Sequence, residues 1–319
     1  MKRNIFIICL LALMLAPTAI AQQQKGQNLA LAVMVEDMIE PFPTAAKVQI
    51  ENKLTRLLTQ NGVATQDYLN QFFITAFAIP QTKDVLPGPP MQIAENIEIN
   101  FYIADYYNQI VYSTASVNAK GVGTTDAKSY IDAIRHINLN SPELKRFITE
   151  GKAKIIDYYN TQSPKMLEKA QTLALRHQYE EALYICSTIP SECDYYSQAL
   201  AVGNTIYQQM IDYQCQINLQ KAKMAWAAEQ NSYGATQAGE YLAQIYPEAK
   251  CYSEAEALYK EIKAKVLDDW KFEMKKYQDS VDLELARINS WRDVGVAYGK
   301  GQQPVTTNIG FFESYLAEI

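Results

Sequence analysis

The spacing of apolar residues changes partway along the chain. Asn28 to Glu36 (NLALAVMVE) is apolar almost throughout, which predicts a strand covered on both faces and central in a sheet. Pro41 and Pro43 break it, and Thr44 can cap a helix over Ala45 to Leu58, where Val48, Leu54, Leu57 and Leu58 fall on one side. Asn61-Gly62 ends that helix, and Phe72 to Ala78 reads as a second strand. Pro80 to Pro90 holds Pro80, Pro87, Pro89 and Pro90, four of the twelve prolines, and predicts a loop. Ile97, Ile99, Phe101 and Ile103 alternate with Glu98, Asn100 and Tyr102, the mark of a strand with one wet face. Asp105 to Asn108 turns the chain, and Gln109 to Ala119 returns to close a hairpin. Helices are expected over Ala127 to Ile137 and from Pro142 to Tyr159. The order is β-α-β-β-β-α-α.

Residues 160–164 (NTQSP) read as a linker, and beyond them strand patterns vanish. Tyr179-Glu180-Glu181-Ala182-Leu183 and Tyr252 to Tyr259 look like degenerate copies of one helical hairpin, with Ala222 as an anchor between them. The spacings 182 to 222 and 222 to 255 are 40 and 33 residues, similar to the ~34-residue tetratricopeptide period. Unrelated helical hairpins fit the same pattern. A long helix of mixed charge is expected from Ser253 to Val294, either solvated or paired with a partner. The tail, Gly299 to Ile319, carries Phe311, Phe312, Tyr315, Leu316 and Ile319, which should dock on the chain itself or on a partner.

The amino terminus adds a compartment. Met1-Lys2-Arg3-Asn4 is followed by the apolar run Ile5 to Leu15 and by Ala19-Ile20-Ala21, the layout of a secretory leader cleaved after Ala21. Cys9 lies inside the apolar run, not after it, which argues against lipid attachment there. The expected organisation is therefore a leader (1–21), an α/β domain (22–160), a helical repeat domain (161–298) and a tail (299–319). The fold class is α+β: a mixed α/β sandwich-type domain, then an all-α helical-hairpin domain of tetratricopeptide-like character. The expected location is the periplasm or the outer-membrane surface. Losing Lys2 and Arg3 takes the net charge from −6 to −8, and without long basic runs this argues against nucleic-acid binding.

Cleavage also leaves four cysteines, Cys186, Cys193, Cys215 and Cys251, which an oxidising compartment permits to pair. The favoured set is Cys186 with Cys193 across the Ser191 turn and, by elimination, Cys215 with Cys251; four buried reduced thiols is the alternative. Lacking a Cys-x-x-Cys pair, and with only His136 and His177, the chain suggests no metal and no other cofactor. Gly121 and Gly123 precede a helix, yet no third glycine and no Gly-Lys-Ser/Thr follows, so a strand-to-helix connection explains them. No Gly-x-Ser-x-Gly elbow is present, neither histidine has an evident nucleophile or orienting partner, and an enzyme is not expected. Tyrosine stands out at 22 residues, and Tyr106-Tyr107 at the hairpin tip are the leading contact candidates, with Phe311 and Phe312 in the tail.

Leu29-Ala30-Leu31-Ala32-Val33-Met34-Val35-Glu36-Asp37, the helix ending Leu57-Leu58-Thr59-Gln60-Asn61-Gly62 and the strand order resemble, over residues 28–137, the small α/β domain of curli production assembly/transport lipoproteins. Penicillin-binding-protein activator lipoproteins and the amino-terminal domain of TolB-type periplasmic proteins share that resemblance. It implies an envelope assembly or regulatory protein and transfers no functional residue. Gln22 stands where those lipoproteins carry a cysteine, so a pore-forming role is not implied. The expected partners are other envelope proteins. Cell-wall glycan binding is the alternative, followed by a hydrolase; association with peptidoglycan or a membrane surface and homo-oligomerisation stay open.

Overall fold

The structure is a computed structural model that describes residues 29–35, 43–65, 70–267, 270–275 and 283–302. The expected leader and the tail residues Phe311 and Phe312 lie outside the described residues. The elements are β1 (Ala32–Val33), α1 (Thr44–Gln60), β2 (Phe72–Leu86), β3 (Gln92–Asp105), β4 (Ile110–Gly123), α2 (Asp126–His136), α3 (Pro142–Leu175), α4 (Tyr179–Ser187), α5 (Tyr196–Ala228), α6 (Ser232–Leu242), α7 (Tyr252–Val266) and α8 (Leu283–Gln302). The architecture is α+β: a four-stranded mixed sheet with helices, followed by an all-helical region.

The sheet order is β1-β2-β3-β4, with β1 parallel to β2 and the other pairs antiparallel. The first strand is therefore short and lies at the sheet margin instead of its centre. Its apolar run is still buried, because a bridge from Leu31 to Ala64 flanks it and α1 covers one face. β2 continues through Pro80 to Leu86, where a loop was expected. The register shifts between Pro80 and Thr82, and a bulge is a place where a strand tolerates a proline that cannot donate to the ladder.

Phe72, Ile74, Ala76 and Ala78 of β2, with Ile97, Ile99, Phe101 and Ile103 of β3, pack against α1, α2 and α3. The approach of α2 to β4 depends on glycine. A Cβ at Gly121 would lie 2.0 Å from the Ser129 carbonyl oxygen and 2.4 Å from the Ala133 nitrogen. Gly121 and Gly123 thus end a strand pressed against a helix.

Residues 160–164 are helical, not a linker: α3 runs unbroken through them with Pro164 inside. The proline is exposed and frees only the carbonyl one turn before it, where solvent can reach, while the buried Ser163 hydroxyl bonds back to the Tyr159 carbonyl. The hydrophobic core continues along α3, from Ile155 and Tyr159 to Leu167 and Ala170, into α4 and α5. The expected Ser253–Val294 helix is instead two helices, α7 and α8. Leu267 takes φ 52° at the end of α7, and Trp270 and Met274 beyond it are buried, with Trp270 and Phe272 folded against Tyr259. Gly299, expected in the tail, is the close-contact point of α8 on Tyr184.

The helical half shows a long-then-short alternation, 34 and 9 residues in α3 and α4, then 33 and 11 in α5 and α6. Cys215 on α5 is disulfide-bonded to Cys251 at the start of α7, with 6.0 Å between their Cα atoms.

Candidate functional site

The β3–β4 turn was expected to present Tyr106 and Tyr107 to a partner. Both are half-buried, and their rings belong to a chain of aromatic contacts inside the molecule. Phe73 meets Tyr106 at 6.5 Å, Tyr106 meets Tyr107 at 5.7 Å, Tyr107 meets Tyr184 on α4 at 5.3 Å, and Tyr184 meets Tyr298 on α8 at 6.0 Å. Edge-on ring pairs of this kind hold elements in place, so the tip is a joint between the sheet and the helices.

Asp105 sits at the centre of that joint with no exposed surface. Its Oδ1 accepts the backbone N–H groups of Tyr107 at 2.9 Å and Asn108 at 3.0 Å, an Asx-type turn that any hairpin could use. Its Oδ2 accepts from Asn108 Nδ2 at 2.8 Å, Gln71 Nε2 at 2.9 Å and the Tyr159 hydroxyl at 2.8 Å. Burial and then the Asp105 charge push the Tyr159 phenol well above its ordinary pKa. Five donors occupy the carboxylate, which serves as a structural anchor. Sequence reading missed this role; the Asp-Tyr-Tyr-Asn turn was its only local signal.

The cysteines divide into two kinds. Cys215 and Cys251 form the expected disulfide, while Cys186 and Cys193 are free, buried thiols instead of the favoured staple. Cys193 Sγ faces the Ile156 carbonyl on α3 at 3.9 Å, so its turn is directed to α3 and not back to α4. Burial pushes both thiols up to about 12, which keeps them protonated and unreactive. Beside the disulfide, Asp212 on α5 holds Lys250 through an N–H bond of 2.8 Å and an ion pair of 2.9 Å. Burial works against the Asp212 carboxylate, but Lys250 and the Gln208 amide outweigh it and hold its pKa below the ordinary value.

Among the described residues, hollows open on the helical half. One, of about 430 Å³, is polar, with Arg287 donating to the Asn204 carbonyl at 3.1 Å and to Gln208 Oε1 at 2.7 Å. The other is a groove of about 370 Å³ between α5 and α6. Asn231 caps α6 by accepting from the Tyr233 and Gly234 N–H groups, which seats Gly234 against Glu229 and sets Tyr233 on the rim. Met224 is 72% exposed and Tyr233 64%, and the Lys221 ammonium lies 5.6 Å over the Tyr241 ring. Among the described residues, Glu229 is the one carboxylate lining this groove. None of its residues was picked out from the sequence, because one exposed methionine and one tyrosine on different helices share no sequence signal.

No family model matches the chain, and no curated protein matches it. Among solved structures, a minor lipoprotein from Acinetobacter baumannii matches at 15% identity over 40% of this chain and 91% of that one, with a TM-score of 0.23. No described helix is long and apolar enough to cross a membrane.

Proposed function

We propose that this is an exported, non-enzymatic protein of the cell envelope that binds other proteins through its helical half. The observation that carries the reading is the α5–α6 groove, shallow and rimmed by exposed Met224 and Tyr233. Methionine and aromatic side chains are enriched where proteins meet, and a methionine adapts its shape to the partner. Export is supported by the amino-terminal sequence and agrees with a disulfide, which persists in oxidising compartments. The element order of the amino-terminal half supports a relation to the curli-assembly type of α/β domain. The long–short helix pairs support a tetratricopeptide-like scaffold of unequal helices.

The test places a photo-crosslinking residue at Tyr233 in the chain made with its leader and irradiates intact cells. A protein adduct lost on Met224→Asp supports the reading. Absence of any protein adduct, together with co-sedimentation of the purified protein with peptidoglycan, would replace it with glycan binding.

A further inference from the structure

The polar hollow on the helical half is built from residues other than those of the α5–α6 groove. Every residue lining it is polar or charged; they come from α5, from Lys250 just ahead of α7 and from Arg287 on α8. Asp212, Lys250 and Arg287 carry charge, so the lining holds one positive charge in excess. The Asp212 carboxylate is taken: Oδ2 pairs with Lys250 Nζ at 2.9 Å, and Oδ1 accepts the Lys250 N–H and Gln208 Nε2, both at 2.8 Å. Arg287 has no such match. Its Nη2 donates to two neutral acceptors, the Asn204 carbonyl at 3.1 Å and Gln208 Oε1 at 2.7 Å. Among the described residues no carboxylate pairs with it, and its buried Nε has no hydrogen-bond partner. A half-buried guanidinium in that state lacks the compensation that an anion supplies.

The hydrogen-bonding groups left over are mostly donors. Gln208 spends both ends of its amide, on Arg287 and on Asp212. Asn204 accepts from Trp291 Nε1 at 3.1 Å through Oδ1, which leaves its amide NH2 as a donor. The Lys250 side chain is 82% exposed and keeps N–H groups beyond the one Asp212 takes. Surplus positive charge together with surplus donors fits a ligand that is anionic and rich in acceptors.

We infer that this hollow binds a sugar acid, a hydroxylated ring bearing one carboxylate. The carboxylate meets the Arg287 guanidinium, and ring hydroxyls meet Asn204, Gln209 and Lys250. Three features select this class. The planar guanidinium fork matches a carboxylate, and a single surplus charge matches a monoanion and not a doubly charged phosphate. No apolar residue lines the hollow, so it offers nothing to the hydrophobic side chains of a peptide and suits a ligand polar on every side. Its volume of about 430 Å³ is that of a small-molecule site, more than a lone carboxylate needs. The walls are also fixed in advance. Cys215 on α5 is disulfide-bonded to Cys251, the neighbour of Lys250, while Arg287 and Trp291 both bond to Asn204 and pin α8. A site held this way loses little freedom on binding.

The experiment titrates the chain starting at Gln22 with glucuronate, glucose, acetate and glucose 6-phosphate, followed by ligand-observed NMR. Saturable binding of glucuronate is expected, about tenfold or more tighter than glucose or acetate, with glucose 6-phosphate also weaker. Arg287→Gln should weaken glucuronate by about tenfold or more. Absence of saturable glucuronate binding, equal affinity for glucose or acetate, a preference for glucose 6-phosphate, or unchanged binding by folded Arg287→Gln would each overturn the inference. If circular dichroism shows that Arg287→Gln does not fold, Lys250→Gln at an exposed position gives the reading: a several-fold loss is expected, and no loss overturns it. Met224 and Tyr233 take no part, so the outcome is independent of the crosslink at Tyr233.

Discussion

The Tyr159 hydroxyl donates to Asp105 Oδ2 at 2.8 Å, tying the middle of α3 to a hairpin turn 54 residues earlier. Both residues have no exposed surface, so each satisfies a polar group that would otherwise be stranded in the core. Tyr159→Phe should lower unfolding stability by about 1–2 kcal/mol and Asp105→Ala by about 3 kcal/mol, with a double mutant costing less than their sum. Tyr112→Phe is the control: its buried hydroxyl has no hydrogen-bond partner among the described residues, and its removal should be near neutral. Urea unfolding of these four variants beside the parent measures this, and additive losses would deny the coupling.

Thiol accounting separates the two cysteine pairs. In the chain from Gln22, denatured without reductant, two thiols should react with Ellman's reagent, those of Cys186 and Cys193. The folded protein at pH 8 should react slowly, since burial holds both thiols near 12. Four reactive thiols would deny the disulfide, and none would pair Cys186 with Cys193 after all.

The disulfide closes a separation of 36 residues, and its loss should cost roughly 3–4 kcal/mol by loop-closure entropy. Cys215→Ala with Cys251→Ala should reproduce the effect of reductant on the urea midpoint. A reductant effect that persists in the double variant would place the sensitivity elsewhere.

Asp212 gives this same junction a pH dependence. Its pKa is lowered in the folded state, so its stabilisation is present above the ordinary aspartate pKa and is lost as pH falls through the lowered value. Asp212→Asn should cost about 1 kcal/mol at pH 7, a modest figure because the Lys250 side chain is largely exposed. The two proteins should converge in stability as pH falls below the ordinary aspartate pKa of about 3.9 and through the lowered one. A gap that is constant with pH would show that the charge contributes nothing.

At Gly121 any side chain meets backbone, which cannot swing aside. Gly121→Ala should therefore destabilise by at least ~2 kcal/mol through displacement of α2 from β4. Gly62→Ala is a contrast of different origin: its φ of 67° supplies backbone strain while nothing lies within 4 Å of the added Cβ. Circular dichroism melts of both would rank them, and a melt for Gly121→Ala equal to that of the parent would refute the close approach.

The order β-α-β-β-β-α-α and the turn to all-helical structure after it were legible, because alternation and helical spacing are written locally by which side chains seek the core. The Cys215–Cys251 pair was expected only by elimination from a Cys186–Cys193 staple that the structure does not form, since pairing depends on which neighbour each thiol faces. The contact candidates Tyr106 and Tyr107 read as a surface feature, yet Tyr107 packs on Tyr184 of α4 and Tyr106 on Tyr107 and Phe73. Phe311 and Phe312 lie outside the described residues.

By itself the sequence determined the fold class and most element positions, which follow from composition and short-range spacing. Only the tertiary structure decided that β2 passes through Pro80, that α3 passes through Pro164, and that α7 ends at Val266 instead of running on to Val294. In each place local preference is outweighed by burial of distant partners. The bulged ladder with β3 holds the first, the core shared by the sheet and the helices holds the second, and Trp270 against Tyr259 holds the third.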